Sequence, residues 1–110
     1  MAKTEMLPGT LGMLVLRVLQ PGPLHGYAIA QRIHQLSNDL LAIEEGSLYP
    51  ALQRLLRECW VVADWGVSAR NRKVRTYKLT AAGRKQLDRE IAGFDRLLSG
   101  ISRVMRPAES

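Results

Sequence analysis

Residues 46–80 read GSLYPALQRLLRECWVVADWGVSARNRKVRTYKLT, and the hydrophobic period of the chain changes inside this stretch. Leu48, Leu52, Leu55, Leu56 and Cys59 recur at three- and four-residue spacing, which predicts a helix with one apolar face starting near Gly46-Ser47. Pro50 is compatible with that helix because its first turn needs no internal donor. From Trp60 to Trp65, and again from Val74 to Leu79, β-branched and aromatic residues take over. The intervening Gly66–Lys73 has no apolar run, so a hairpin with a long polar tip is expected.

Outward from this stretch the chain is helical on both sides. Pro8-Gly9-Thr10 is a turn and helix-start signal, after which Leu11, Leu14, Val15, Val18 and Leu19 keep helical spacing until Pro21-Gly22-Pro23. A second helical pattern opens around Leu24-His25-Gly26, places Tyr27, Ile29, Ile33 and Leu36 on one side, and ends at Ser37-Asn38-Asp39. The apolar segment Leu40–Ile43 can form an isolated strand. Thr80 is a plausible N-cap for a last helix that continues to about Met105, where Arg106-Pro107 stops it. The predicted order is helix, helix, strand, helix, strand, strand, helix. This is a mainly α chain with a small β-hairpin (α+β): a winged helix-turn-helix over 1–79, a long C-terminal dimerisation helix over 80–106, and a disordered tail over 107–110.

Composition narrows the function classes. The 110 residues, 46% hydrophobic and 24% charged, describe one domain with little room for a second. Sixteen Lys and Arg against ten Asp and Glu give a net charge of +6, which favours an anionic partner, either nucleic acid or a lipid surface. The longest apolar stretch, Leu11–Leu19, is interrupted by Arg17 and falls well short of the roughly 20 residues that span a bilayer, so no membrane partner is expected. Met1–Thr10 lacks the layout of a secretory signal, and a cytoplasmic location follows as the default. A lone Cys59 supplies neither an internal disulfide nor a multi-cysteine zinc site.

Three short helices and a ribbon have the layout in which the third helix enters the major groove and the hairpin contacts the flanking backbone. Opposite its leucine face, the third helix carries Pro50, Gln53, Arg54 and Arg57 on one stripe, with Tyr49 beside them. Gln pairs bidentately with adenine and Arg with guanine, so the stripe suits base edges; an ordinary solvated face is the plain alternative. The wing is more telling. Arg70, Arg72, Lys73, Arg75 and Lys78 crowd a segment without one acidic residue, and such a cluster repels itself unless anions neutralise it. Arg70, Arg72, Lys73 and Arg75 are the expected phosphate contacts.

Leu87, Ile91, Phe94, Leu98, Ile101 and Met105 alternate at four- and three-residue spacing along the last helix, the seam of a coiled coil. At about 1.5 Å per residue that helix is roughly 37 Å long and outruns the body it leaves. A two-fold dimer accommodates it and sets two recognition helices about one DNA turn apart, matched to a pseudo-palindromic operator on double-stranded DNA. Folding of the seam back onto the first helix of a monomer is the competing arrangement. Gly93 and Gly100 lie off the seam and each costs about 1 kcal/mol relative to Ala; the sequence gives no reason for them beyond room for close approach of the first helix, from either subunit.

Four blocks of this sequence resemble the PadR family of regulators: Leu7-Pro8-Gly9-Thr10, Gly22-Pro23-Leu24-His25-Gly26-Tyr27, Glu45-Gly46-Ser47-Leu48-Tyr49-Pro50-Ala51-Leu52, and Tyr77-Lys78-Leu79-Thr80. The block at the head of the third helix is the most specific. With one helix after the wing, the chain looks like the short-tailed subfamily. The resemblance implies a homodimeric repressor with Ser47, Tyr49 and Pro50 at the DNA end of the recognition helix. It also implies a dimer surface built from the first and last helices, which adds Leu11, Leu14 and Val15 to the seam residues. A small-molecule effector is implied as a class, without its identity. Some short-tailed relatives hold flat aromatic drugs in a pore lined by Trp from the last helix; here that helix offers only Phe94.

The remaining candidates read as structural. His25 and His34 have no third ligand at metal-like spacing, so capping is preferred to zinc, and neither a metal nor another cofactor is expected. Ser47 lies in no nucleophile-elbow frame, so the chain does not read as an enzyme and no catalytic residue is assigned. Trp60 and Trp65 are read as core packing and a hairpin anchor, with ligand stacking as the lesser alternative. Cys59 is read as a buried small apolar residue rather than a redox sensor. The competing function is a winged-helix protein-interaction module without a DNA ligand. A drug-binding protein that does chemistry ranks last.

Overall fold

Helical periodicity, capping and turn chemistry divide the chain into seven elements: α1 (Thr10–Val18), β1 (Leu24–His25), α2 (Gly26–Leu36), α3 (Glu45–Arg57), β2 (Val61–Val67), β3 (Lys73–Leu79) and α4 (Ala81–Met105). The structure is a computed structural model and describes residues 9–107. Leu7 and Pro8 of the opening motif, and residues 108–110 of the expected tail, lie outside the described residues.

One apolar cluster joins all the helices to the ribbon: Val15, Leu16, Val18 and Leu19 from the first helix and its cap, Ile29 and Ile33 from α2, Leu48, Leu52 and Leu55 from α3, Val61, Tyr77 and Leu79 from the strands, and Leu87 from α4. Each fully buried aliphatic side chain contributes about 1.5–3 kcal/mol relative to exposure, and this cluster holds the trihelical body on the ribbon. On α2 the inner pair is Ile29 and Ile33, one turn apart. Tyr27, about 200° round the helix from Ile29, is 66% exposed, and Leu36 in the last turn is 65% exposed; neither shares the inner face as expected.

The sheet has three antiparallel strands in the order β1-β3-β2. The third strand is Leu24–His25, which pairs with Tyr77 and Thr76, and not Leu40–Ile43, which forms no strand. Two residues contain no alternation to read, whereas Leu41 and Ile43 are apolar only because they pack on the edge of the core. The ribbon is also longer than expected. Strand pairing continues to Val67 and Lys73, leaving a tip of Ser68–Arg72. Ser68 closes it: its N–H donates to the Arg72 carbonyl (2.8 Å), its carbonyl accepts from Asn71 N–H (2.9 Å), and its hydroxyl accepts from Arg72 N–H (3.2 Å). Asn71 takes the left-handed conformation such a tip requires, at φ 59°.

The junction between α3 and β2 corrects the reading of Cys59, which is exposed. The helix ends at Arg57, with Glu58 as its C-cap, and Cys59 follows at φ 61°. Trp60 N–H donates to the Leu55 carbonyl and Cys59 N–H to the Leu56 carbonyl, both at 3.0 Å. This is the Schellman pattern, with cysteine at the position usually given to glycine. The leucine stripe therefore stops at Leu56, and Cys59, beyond the end of the helix, turns to solvent.

α4 is fastened to that junction. The Thr80 hydroxyl caps the helix, accepting from Gly83 N–H at 3.0 Å, and itself donates to the Cys59 carbonyl at 2.8 Å. A Cβ on Gly83 would overlap the Trp60 carbonyl oxygen and the Leu79 side chain, so α4 lies on β2 and β3 only with glycine there. Leu87 is fully buried, and α1 packs against α4. From Ile91 onward the apolar residues of α4 are exposed, and the molecule measures 64 × 35 × 22 Å. Two expected interface residues, Val15 and Leu87, are thus spent inside the protomer, where no second copy can touch them. Nothing lies within 4 Å of a Cβ added at Gly93 or Gly100, so the expected approach of the first helix to these glycines is absent in the protomer.

Candidate nucleic-acid interface

The apolar face of α3 faces the core, which forces its polar stripe outward. Ser47, Tyr49, Pro50, Gln53 and Arg57 are exposed along it. Arg54, expected on the same stripe, is turned aside: its guanidinium lies 6.0 Å from the centre of the Trp60 ring and against Gly12 of α1. Cation–π attraction and the space left by a glycine hold it there. The side chain that alternates with Gln53 toward solvent is therefore Arg57.

Tyr49 rests against the start of α2, with its ring and hydroxyl 3.8–3.9 Å from the Cβ position of Gly26. The N-terminus of α2 is set by His25, whose Nδ1 accepts from Ala28 N–H at 3.3 Å, the capping role expected of it. Beside it Tyr27 accepts from the Gln31 amide at 3.3 Å. His34 lies with Nδ1 3.4 Å from the Asp39 carboxylate on the exposed end of α2.

Strand alternation places the wing. Val61 and Ala63 face the body opposite Leu79 and Tyr77; beyond the body the same ribbon face continues as Trp65 opposite Arg75 and Val67 opposite Lys73. This face and α3 enclose a cleft of about 420 Å³, into which Tyr49 and Gln53 project from the helix, and Trp65, Lys73 and Arg75 from the ribbon. Arg70 and Arg72 stand exposed at the tip, outside the cleft. Of the predicted residues, the structure brings Tyr49, Gln53, Lys73 and Arg75 into one site.

Tyr77 forms its floor. Burial pushes its phenol pKa above the ordinary tyrosine value; the Arg75 guanidinium, 5.8 Å from the ring centre, works against that shift, and Tyr49 adds to it. The phenol therefore stays neutral. Trp65, expected as a core anchor, is 64% exposed, with the Lys73 ammonium 5.7 Å from its ring centre; only Trp60 packs on the core. Tyr27 lines the cleft from the start of α2; sequence reasoning missed it and Tyr77 as members of this site, and gave Trp65 ligand stacking only as the lesser alternative. The signal for Trp65 and Tyr77 was the two-residue alternation, counted outward from the buried Val61.

Among the described residues, no group of three or more His, Cys, Asp or Glu could hold a metal ion, and no helix is long and apolar enough to cross a membrane.

Residues 15–89 match the family described as Transcriptional regulator PadR-like. The fold is similar to that of a transcriptional regulator from Clostridium thermocellum, with a TM-score of 0.82 at 22% identity over 89% of this chain and 95% of that one. It is also similar to a PadR family transcriptional regulator from Eggerthella lenta, with a TM-score of 0.76 at 28% identity over 91% of this chain and 85% of that one. An uncharacterised 37.1 kDa protein of a Streptomyces fradiae transposon is 41% identical over 97 residues. That match covers 88% of this chain and 26% of the transposon protein.

Proposed function

The chain belongs to the PadR-like family of transcriptional regulators, and from that premise we propose that it is a homodimeric repressor that occupies a pseudo-palindromic operator. A small molecule or another signal releases it by changing the spacing of its two reading heads. In this reading residues 1–79 read DNA in the cytoplasm and residues 80–106 pair the protomers.

The observation that carries the proposal is the union of two chemistries on one side of the molecule. Tyr49 and Gln53 of α3 share a cleft with Lys73 and Arg75 of the ribbon, and the sequence has no acidic residue from Trp65 to Gln86. Gln53 and Arg57, with Tyr49, choose bases; Ser47 and Pro50 bring the helix head to the duplex. Arg70, Arg72, Lys73 and Arg75 hold phosphates and release counterions. Arg54, turned to Trp60, has no part in base choice.

The dimer is supported by what α4 leaves uncovered. Ile91, Phe94, Leu98, Ile101 and Met105 are exposed along the seam, and Leu97 and Val104 extend the apolar face sideways. Contiguous apolar surface of this kind marks an interaction site. Its width exceeds a two-stranded seam, which suits a partner that offers Leu11 and Leu14 of its α1 as well as its α4.

Fluorescence anisotropy with labelled duplexes at stepped salt concentrations tests the reading. The protein binds an arbitrary duplex weakly at low salt, and Arg72→Ala weakens all duplexes alike while lowering the salt slope by about one. A variant with altered sequence preference and an unchanged slope would remove the wing from the phosphates. No binding to any duplex at low salt favours the protein-interaction module instead.

A further inference from the structure

Trp65 takes no part in the core. It lies beyond the core, mostly exposed, on the ribbon face that turns toward α3. An isolated apolar surface residue is ordinary, but this indole lies inside a cleft that also presents the Tyr49 hydroxyl, the Gln53 amide and the cations of Lys73 and Arg75, along with His25, Gly26 and Val74, and Val67 is next to it on the same ribbon face. The Lys73 ammonium over the ring fixes a positive charge directly beside an apolar plate.

We propose that this cleft seats one sugar-phosphate strand of the duplex, with the Trp65 indole packed flat against a deoxyribose. The proposal rests on the DNA-binding reading above and deepens it. With α3 in the major groove and the ribbon tip at the minor groove, the only part of the duplex between them is the strand that separates the two grooves. That strand alternates anionic phosphate with an apolar sugar face. The cleft offers both kinds of surface: Lys73 and Arg75 with the Tyr49 hydroxyl for phosphate, and Trp65, paired opposite Arg75 and beneath Lys73, for sugar. The contact is independent of base sequence. Because the indole is uncharged, it releases no counterion, so it strengthens binding without adding to the salt slope.

The chain has two tryptophans, so Trp60→Phe leaves Trp65 as the only indole. Titrating that variant with duplex at low salt, while anisotropy reports binding, shifts Trp65 emission to the blue and shields it from acrylamide. Trp65→Ala in the full chain weakens every duplex about tenfold, the loss expected from about 60 Å² of apolar contact, with the salt slope unchanged. Trp65→Phe recovers most of the affinity. Binding with unaltered emission and quenching overturns the contact, whatever becomes of Trp65→Ala. A salt slope lowered by one in Trp65→Ala overturns it too, because the indole would then act by positioning Lys73. Shielding that rises with protein concentration in the absence of duplex assigns the indole to a second copy. If the wild-type chain binds no duplex, the DNA-binding reading itself falls, and anisotropy alone reveals that.

Discussion

The two ends of α4 carry the same leucine-type spacing and do opposite things. The first two turns are built into the body: Thr80 caps the helix and bonds to the Cys59 carbonyl, Gly83 lies on the Trp60 carbonyl, and Leu87 is fully buried. The last four turns project beyond it, with Leu98 51% exposed, Val104 83% exposed, and open space at Gly93 and Gly100. Spacing along a helix identifies an apolar stripe, and only the reach of the neighbouring segments decides which part of it is core. The near end stabilises the protomer. The far end is free to stabilise something outside it.

That division is exposed to experiment. Leu87→Ala should cost about 2–5 kcal/mol in chemical denaturation, the same at every protein concentration, because the cavity lies within one protomer. Leu98→Lys should change protomer stability by less than about 0.5 kcal/mol, yet sedimentation should show monomers and operator affinity should be lost. A monodisperse dimer that survives Leu98→Lys moves the interface elsewhere. Gly83→Ala should cost about 1–3 kcal/mol, since the methyl group meets backbone that cannot yield. A neutral result there would mean that α4 lies less closely on Trp60 than described. The smallest effect belongs to the far glycines: Gly93→Ala should raise helix stability by about 1 kcal/mol in the monomer. If it weakens the dimer instead, the partner's backbone crosses at that point.

The same contrast explains what was legible. The bounds of α4, Ala81–Met105, follow from Thr80 and Pro107, which act through the backbone next to them. The inner leucines of α3 and the cap at His25 were equally local. Cys59 misled because its neighbours continue the helical spacing, while the chain ends the helix with a non-glycine residue in the left-handed region. Trp60 and Trp65 looked equivalent as the two bounds of one strand. They part because the body ends between them, five residues along a strand that rises about 3.3 Å per residue.

In the candidate site, the kinds of residue were readable and their grouping was not. The acid-free basic run predicted the wing, and the polar stripe of α3 predicted an outward face. That Arg54 leaves the stripe depends on Gly12, and that Trp65 joins the site depends on the register of β2 against β3. The sequence by itself determined the four helices, the N-caps at His25 and Thr80, the existence of the hairpin and the charge of the ribbon, because each arises from interactions within a few residues. The tertiary structure alone decided that Leu24 pairs with Tyr77, that Val15 and Leu87 are core, and that one cleft joins α3 to the wing. Burial is not a property of a segment: it exists only where a distant part of the chain excludes water from it.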